Sequence, residues 1–214
     1  MSASTLLVRS ACRLSLVPLV AEVRLHLASD VLDLWQQCED LTGPGQPPPF
    51  WAFPWPGGQA LARYLLDHPE QVAGRRVLDV GSGSGLVAIA AQMAGAAVVL
   101  ASEIDPVAVA AIRLNARANA VPPPVVVGDV LNGDGEDAEL VLAGDVWYSA
   151  PLAEGMIGLI ERARGRGASV LVGDIGRAFL PRDRFRVVAR RDVPVVAQLE
   201  DSAVKRTMVW APAW

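Results

Sequence analysis

From Arg76 onward, short apolar runs recur at residues 77–80, 97–100, 125–127, 140–143 and 170–172. Runs of this length fit strands covered on both faces, as in parallel sheets. Between several of them lie stretches of helical spacing, at about 84–94, 106–119 and 151–164. The middle stretch puts Val107, Ala110, Ala111, Leu114 and Ala118 on one face and Arg113, Arg117 and Asn119 on a solvated one. Such alternation predicts an α/β domain with a doubly wound, mostly parallel sheet and right-handed crossovers. The end of the chain breaks the rule. Arg184 to Val196 and Lys205 to Trp210 read as two strands with no helix between them, hence a C-terminal antiparallel hairpin.

The first part of the chain has a different pattern. Leu14 to Leu27 is strand-like with a break at Pro18, and Val31, Leu34 and Trp35, with Leu27 or Leu41, predict one apolar helix face. A connector, Gly43-Pro44-Gly45-Gln46-Pro47-Pro48-Pro49, follows; proline runs favour stiff, extended backbone. Residues 1–49 are therefore expected to form an N-terminal accessory segment with its connector, and residues 50–214 the main domain. That domain opens on Phe50-Trp51-Ala52-Phe53-Pro54-Trp55-Pro56-Gly57-Gly58-Gln59 and a helix carrying Leu61, Tyr64 and Leu65, with His68 as its C-terminal cap.

Composition narrows the class. Hydrophobic residues make up 52% of the 214 and charged residues 20%, which predicts a packed core. A net charge of −4 gives no basic footprint for nucleic acid, and no run approaches the ~20 apolar residues of a membrane span. The two cysteines, Cys12 and Cys38, form neither a disulfide framework nor a metal cluster; they read as small hydrophobes of a reducing compartment. A cytoplasmic location is expected. The first 21 residues, with Arg9, Arg13 and no acid before Glu22, are the argument for a mitochondrial alternative; ordered structure there is favoured.

The densest chemistry lies in Val77-Leu78-Asp79-Val80-Gly81-Ser82-Gly83-Ser84-Gly85, a strand running through a glycine turn into a helix. Glycines let the backbone turn sharply and approach a ligand at the helix N-terminus. The dinucleotide fingerprint wants G-x-G-x-x-G, and Leu86 occupies the slot of its third glycine. Asp79 suits a cationic amine and would repel a pyrophosphate. Glu103 comes 22 residues after Gly81, at the tip of the second strand, where a carboxylate can accept from both ribose hydroxyls. Asp105, before Pro106, reads as a helix N-cap. Asp129, after the third strand, is either a ligand carboxylate or a turn residue. The fourth strand ends in Gly144-Asp145-Val146-Trp147-Tyr148. Trp147 reads as packing, whereas Asp145 reads as an unpaired carboxylate at the end of a buried strand, which calls for a function.

Taken together, Pro49 to Leu61, the glycine turn and the Asp145–Tyr148 loop resemble one group of seven-β-strand, S-adenosylmethionine-dependent methyltransferases. The group contains the electron-transfer-flavoprotein β-subunit lysine methyltransferases and their bacterial relatives. The resemblance runs from about Pro18 to the C-terminus, and Trp147 is bulkier than the family's usual residue. It implies a Rossmann-like sheet of seven strands and S-adenosylmethionine as cofactor. It implies cofactor contacts from Trp55, Asp79, Gly81, Ser82, Gly83, Gly85, Glu103 and Ile104, with Asp129 and its apolar neighbour Val130 at the adenine. Asp145 and Tyr148 become the catalytic pair, and no metal is required. The implied activity is N-methylation of a lysine in a protein, with electron-transfer flavoprotein β-subunit or a ribosomal stalk protein as candidate acceptors. A small-molecule, nicotinamide-like N-methyltransferase is the alternative. The short loop from Tyr148 to Pro151 leaves no room for a lid and favours a macromolecular acceptor.

Overall fold

A computed structural model describes residues 2–195 and 203–214. Of the expected C-terminal strands, only Val196 falls outside them.

Seven strands form one sheet among the described residues: β3 (Arg76–Val80), β4 (Val98–Ser102), β5 (Val125–Val127), β6 (Leu140–Gly144), β7 (Ser169–Asp174), β8 (Phe185–Pro194) and β9 (Val204–Pro212). Their order is β5-β4-β3-β6-β7-β9-β8. The five from β3 to β7 run parallel, and β9 pairs antiparallel with both β7 and β8. The predicted hairpin is therefore present, with its return strand inserted beside β7. The chain moves outward from β3 to β5 and then returns to β6 on the other side of β3. That reversal opens a crevice at the carboxyl ends of β3 and β6, where ligands bind in open α/β sheets.

Alternation along β3 explains which helix goes where. Val77 faces the core under α3 (Pro56–Asp67) and α4 (Leu86–Met93); Leu78 and Val80 face α6 (Ala150–Gly165) on the other side. Asp79, sharing the Val77 face, thus points beneath the start of α4. Val130 and Trp147 belong to the α6 core, with Trp147 edge-on to Phe185 at 5.8 Å. Trp147 is packing, as expected, and its bulk does not shape the crevice.

The N-terminal segment packs as a layer across the helices. It consists of α1 (Ala3–Ala11), a hairpin of β1 (Cys12–Val17) and β2 (Val20–Ala28) turning at Pro18, and α2 (Val31–Thr42). Val8, Cys12, Leu34 and Cys38 share a core with Trp51, Phe53 and α5 (Pro106–Ala118). Two sequence expectations are corrected here. The buried face of α2 is Leu34 and Cys38 rather than one reaching Leu41, which is exposed. Asn119 is not merely solvated: its side chain accepts from the Arg24 N–H at 2.8 Å and donates to the Arg24 carbonyl at 2.7 Å, extending the hairpin edge. Burial pushes the Cys12 and Cys38 thiols up to about 12 and 11, which keeps both protonated and unreactive.

Candidate functional site

The crevice narrows to a cleft of about 60 Å³ walled by the β3–α4 turn, the end of β6 and the aromatic segment before α3. Gly81, Gly83 and Gly85 all adopt left-handed backbone (φ 65°, 53° and 82°), a conformation that excludes most side chains and turns the chain into α4. Asp79 is buried. Its Oδ2 accepts from the Ser82 hydroxyl at 2.6 Å and from the Ala88 N–H at 3.1 Å, fastening the turn to α4. Burial pushes its carboxyl up to about 7 against the pull of those two donors, and nearby Glu103 adds to the rise. Glu103 closes the turn from the β4 side: Oε2 accepts from the Gly83 N–H at 2.8 Å, and Oε1 from the N–H groups of Ile104 and Asp105. Asp105 caps α5, accepting from the Val107 N–H at 2.7 Å.

The opposite wall is built from segments far apart in sequence. The N-terminus of α3 lies directly on the ends of β6 and β7. A Cβ on Gly57 would collide with the Gly173 carbonyl, and one on Gly144 would come within 2.9 Å of the Gly58 backbone. This close approach accounts for Gly57, Gly144 and Gly173. It also aims one free N–H of the first helical turn at Asp145, whose Oδ2 accepts from the Gly58 N–H at 2.7 Å.

Asp145 itself sits in left-handed backbone (φ 61°), uncommon outside glycine and concentrated at functional sites. It is not the unpaired carboxylate that the sequence implied. Its Oδ1 accepts from Arg177 Nη1 at 2.7 Å, and the same nitrogen donates to Asp174 Oδ2 at 2.7 Å. Asp174 is fully buried at the end of β7, where its other oxygen accepts from the N–H groups of Gly176 and Arg177. Burial pushes the Asp145 carboxyl upward, the Arg177 guanidinium opposes it, and Asp174 adds to the rise. Arg177 keeps its charge despite burial because two carboxylates flank it. Sequence reasoning missed this partner, although Gly173-Asp174-Ile175-Gly176-Arg177 at a strand end was a signal comparable to the one after β6.

Trp55, Asp79, Gly81, Ser82, Gly83 and Asp145 therefore line one cleft, joined by Phe50, Phe53 and Gly58. Gly85 is buried behind the turn as the N-cap of α4. Tyr148 is exposed at the mouth, its ring 6.1 Å from that of Phe50, which in turn lies 6.0 Å from Trp55. Ile104 and Asp129 are exposed outside the cleft, and Asp129 Oδ1 accepts from the Leu131 N–H in the turn geometry that the sequence left open. Val130 is buried in the core beneath α6 rather than in the cleft wall. One further polar group reaches the turn: buried Asn115 donates to the Ser84 carbonyl and accepts from the His26 N–H, each at 2.8 Å, so β2 braces the glycine turn through α5.

Relatives decide the family. A protein of Mus musculus named electron transfer flavoprotein beta subunit lysine methyltransferase is 38% identical over 90% of this chain and 77% of its own length. The chain belongs to that family. The protein of the same name from Xenopus laevis is 46% identical over 75% of this chain, which spans 65% of the Xenopus protein. The family described as ribosomal protein L11 methyltransferase (PrmA) matches residues 60–165. Among solved structures, magnesium protoporphyrin IX methyltransferase from Synechocystis with bound SAM has the same fold at a TM-score of 0.53 and 17% identity, over 86% of this chain and 92% of that one. That neighbour shares the fold and holds SAM, the cofactor that the sequence resemblance implies. The residues here fit that cofactor: the cleft is lined by two carboxylates and aromatic rings, with no lysine or arginine in the lining. This set suits a cationic, phosphate-free ligand and opposes a dinucleotide.

Proposed function

We propose that the chain transfers a methyl group from S-adenosylmethionine to the Nζ of a lysine in a protein, with electron-transfer flavoprotein β-subunit as the leading acceptor. The observation that carries this reading is that Asp145 and the glycine turn wall the same cleft, which puts a carboxylate for a cationic acceptor beside the cofactor turn. In this reading Asp79 and the Gly81–Gly83 backbone hold the amino-acid end of the cofactor, Glu103 the ribose, and Ile104 and Asp129 the adenine side, without Val130, which the α6 core holds. Trp55, in the cleft lining, would offer an aromatic face to the sulfonium.

When bound, the cofactor would supply an electrophilic methyl on sulfur, and the lone pair of a neutral lysine would form the N–C bond as the C–S bond breaks and the neutral thioether leaves. The protein's work is to deliver that neutral amine in line and dry. A free lysine has a pKa near 10.4, so losing its proton at pH 7 costs about 4–5 kcal/mol. Asp145 recruits the ammonium, and desolvation against the aromatic side of the cleft favours its neutral form. Tyr148 and Phe50, exposed at the mouth, flank the aliphatic stem of an incoming lysine.

The test uses methyl-labelled cofactor with purified electron-transfer flavoprotein, ribosomal protein L11 and nicotinamide, read by mass spectrometry. Methylated lysine on the flavoprotein β-subunit supports the proposal. Label on L11 would reassign the acceptor, and label on nicotinamide alone would overturn the protein-substrate reading.

A further inference from the structure

Buried carboxylates need partners, and a buried pair of them needs more than one. Asp145 and Asp174 share a single nitrogen of Arg177, so two carboxylates and one guanidinium leave one negative charge unmatched. The cluster is enclosed: Asp174 has no exposed side-chain surface, Asp145 has 10% and Arg177 19%. Arg177 approaches from behind, outside the cleft lining, while Asp145 forms part of that lining. The charged groups facing Asp145 are Arg177 and Asp174 on the β7 side and Asp79 across the cleft; from α3 it meets the Gly58 N–H.

Recruiting an ammonium and then letting its proton go make opposite demands on a carboxylate. An unpartnered buried Asp145 would either protonate or hold lysine in its charged, unreactive form. A carboxylate already sharing a guanidinium does neither fully. We infer that Arg177 is a positioning residue for the acceptor: anchored by Asp174, it fixes Asp145 as a carboxylate beside the cleft and leaves the cluster one positive charge short of balance, to be matched by a single cationic amine. This rests on the lysine reading above for the identity of that amine. The orienting role itself does not.

The experiment is built to separate the two. In the full chain labelled with ¹³Cγ-aspartate, the Asp145 signal is assigned by its loss in Asp145→Asn and titrated for wild type, Arg177→Gln and Arg177→Lys. The expected result is a midpoint raised by about one to three pH units in Arg177→Gln, as for a carboxylate losing an adjacent cation, and largely restored in Arg177→Lys. An unmoved midpoint overturns the inference. With a methylated acceptor in hand, the acidic limb of kcat/KM should move by the same amount while the cofactor Kd stays fixed. A uniform loss of rate with an unchanged pH profile would mean a merely structural arginine. Should Arg177→Gln fail to fold, Asp174→Asn supplies a second route: it removes the unmatched charge and is expected to raise the acceptor KM about tenfold with kcat retained, and an unchanged KM counts against the inference. If wild type methylates no lysine yet the midpoint moves, the acceptor assignment has failed and the positioning role stands.

Discussion

The two walls of the cleft are built in opposite ways. On the β3 side, one stretch from Asp79 to Ala88 supplies the turn, its carboxylate and the donors that hold it, with Glu103 and Asn115 as distant additions. On the β6 side, Gly58, Asp145, Asp174 and Arg177 arrive from three separate segments and mean little apart. The first wall is a local motif and the second a tertiary assembly. The difference teaches that binding a common cofactor can be encoded in ten residues, whereas presenting an acceptor amine depends on where α3, β6 and β7 meet.

If the walls act separately, breaking each should move a different quantity. The largest effect is expected from Asp145→Asn: methyl transfer should fall roughly 100-fold or more, the scale on which positioning groups act. Cofactor affinity, measured by tryptophan fluorescence, should change little; a matching loss of affinity would merge the two walls. Gly57→Ala comes next. The added methyl meets the Gly173 carbonyl and Asp145, so stability in a denaturant titration should drop by about 1–3 kcal/mol. Activity should fall beyond what that loss explains, because Asp145 moves with the backbone.

On the cofactor side, Glu103→Gln keeps an oxygen for the Ile104 and Asp105 N–H groups but removes the acceptor facing Gly83. Cofactor Kd should rise about tenfold, the worth of one hydrogen bond to a charged group. The acceptor KM should hold, which isothermal titration and steady-state rates would check together. The last expected effect is a pH dependence. Asp79 titrates near 7 in the folded chain, well above its unfolded range. The native state therefore binds the extra proton, and stability should fall as pH rises from about 4 through 7. A cationic amine prefers the ionised carboxylate, so cofactor affinity should strengthen over the same rise, by at most about tenfold per pH unit. Asp79→Asn should flatten both trends.

Spacing along the chain determined the strand–helix alternation, the terminal hairpin, the glycine turn and the acidic residue at the tip of β4. Each is a signal of period or short separation, and steric rules on φ make the turn glycines legible without a fold. Asp145 was legible as a residue and misread as a state, because its partner lies 32 residues away across β7. Only the tertiary structure put α3 against two strand ends, which explains Gly57 and Gly144, and buried Val130 beneath α6. It also turned Asn115 and Asn119 into clasps for the N-terminal hairpin. The physical reason is common to these cases. Backbone conformation is dictated by neighbours in sequence, whereas the charge state of a buried carboxylate is dictated by neighbours in space.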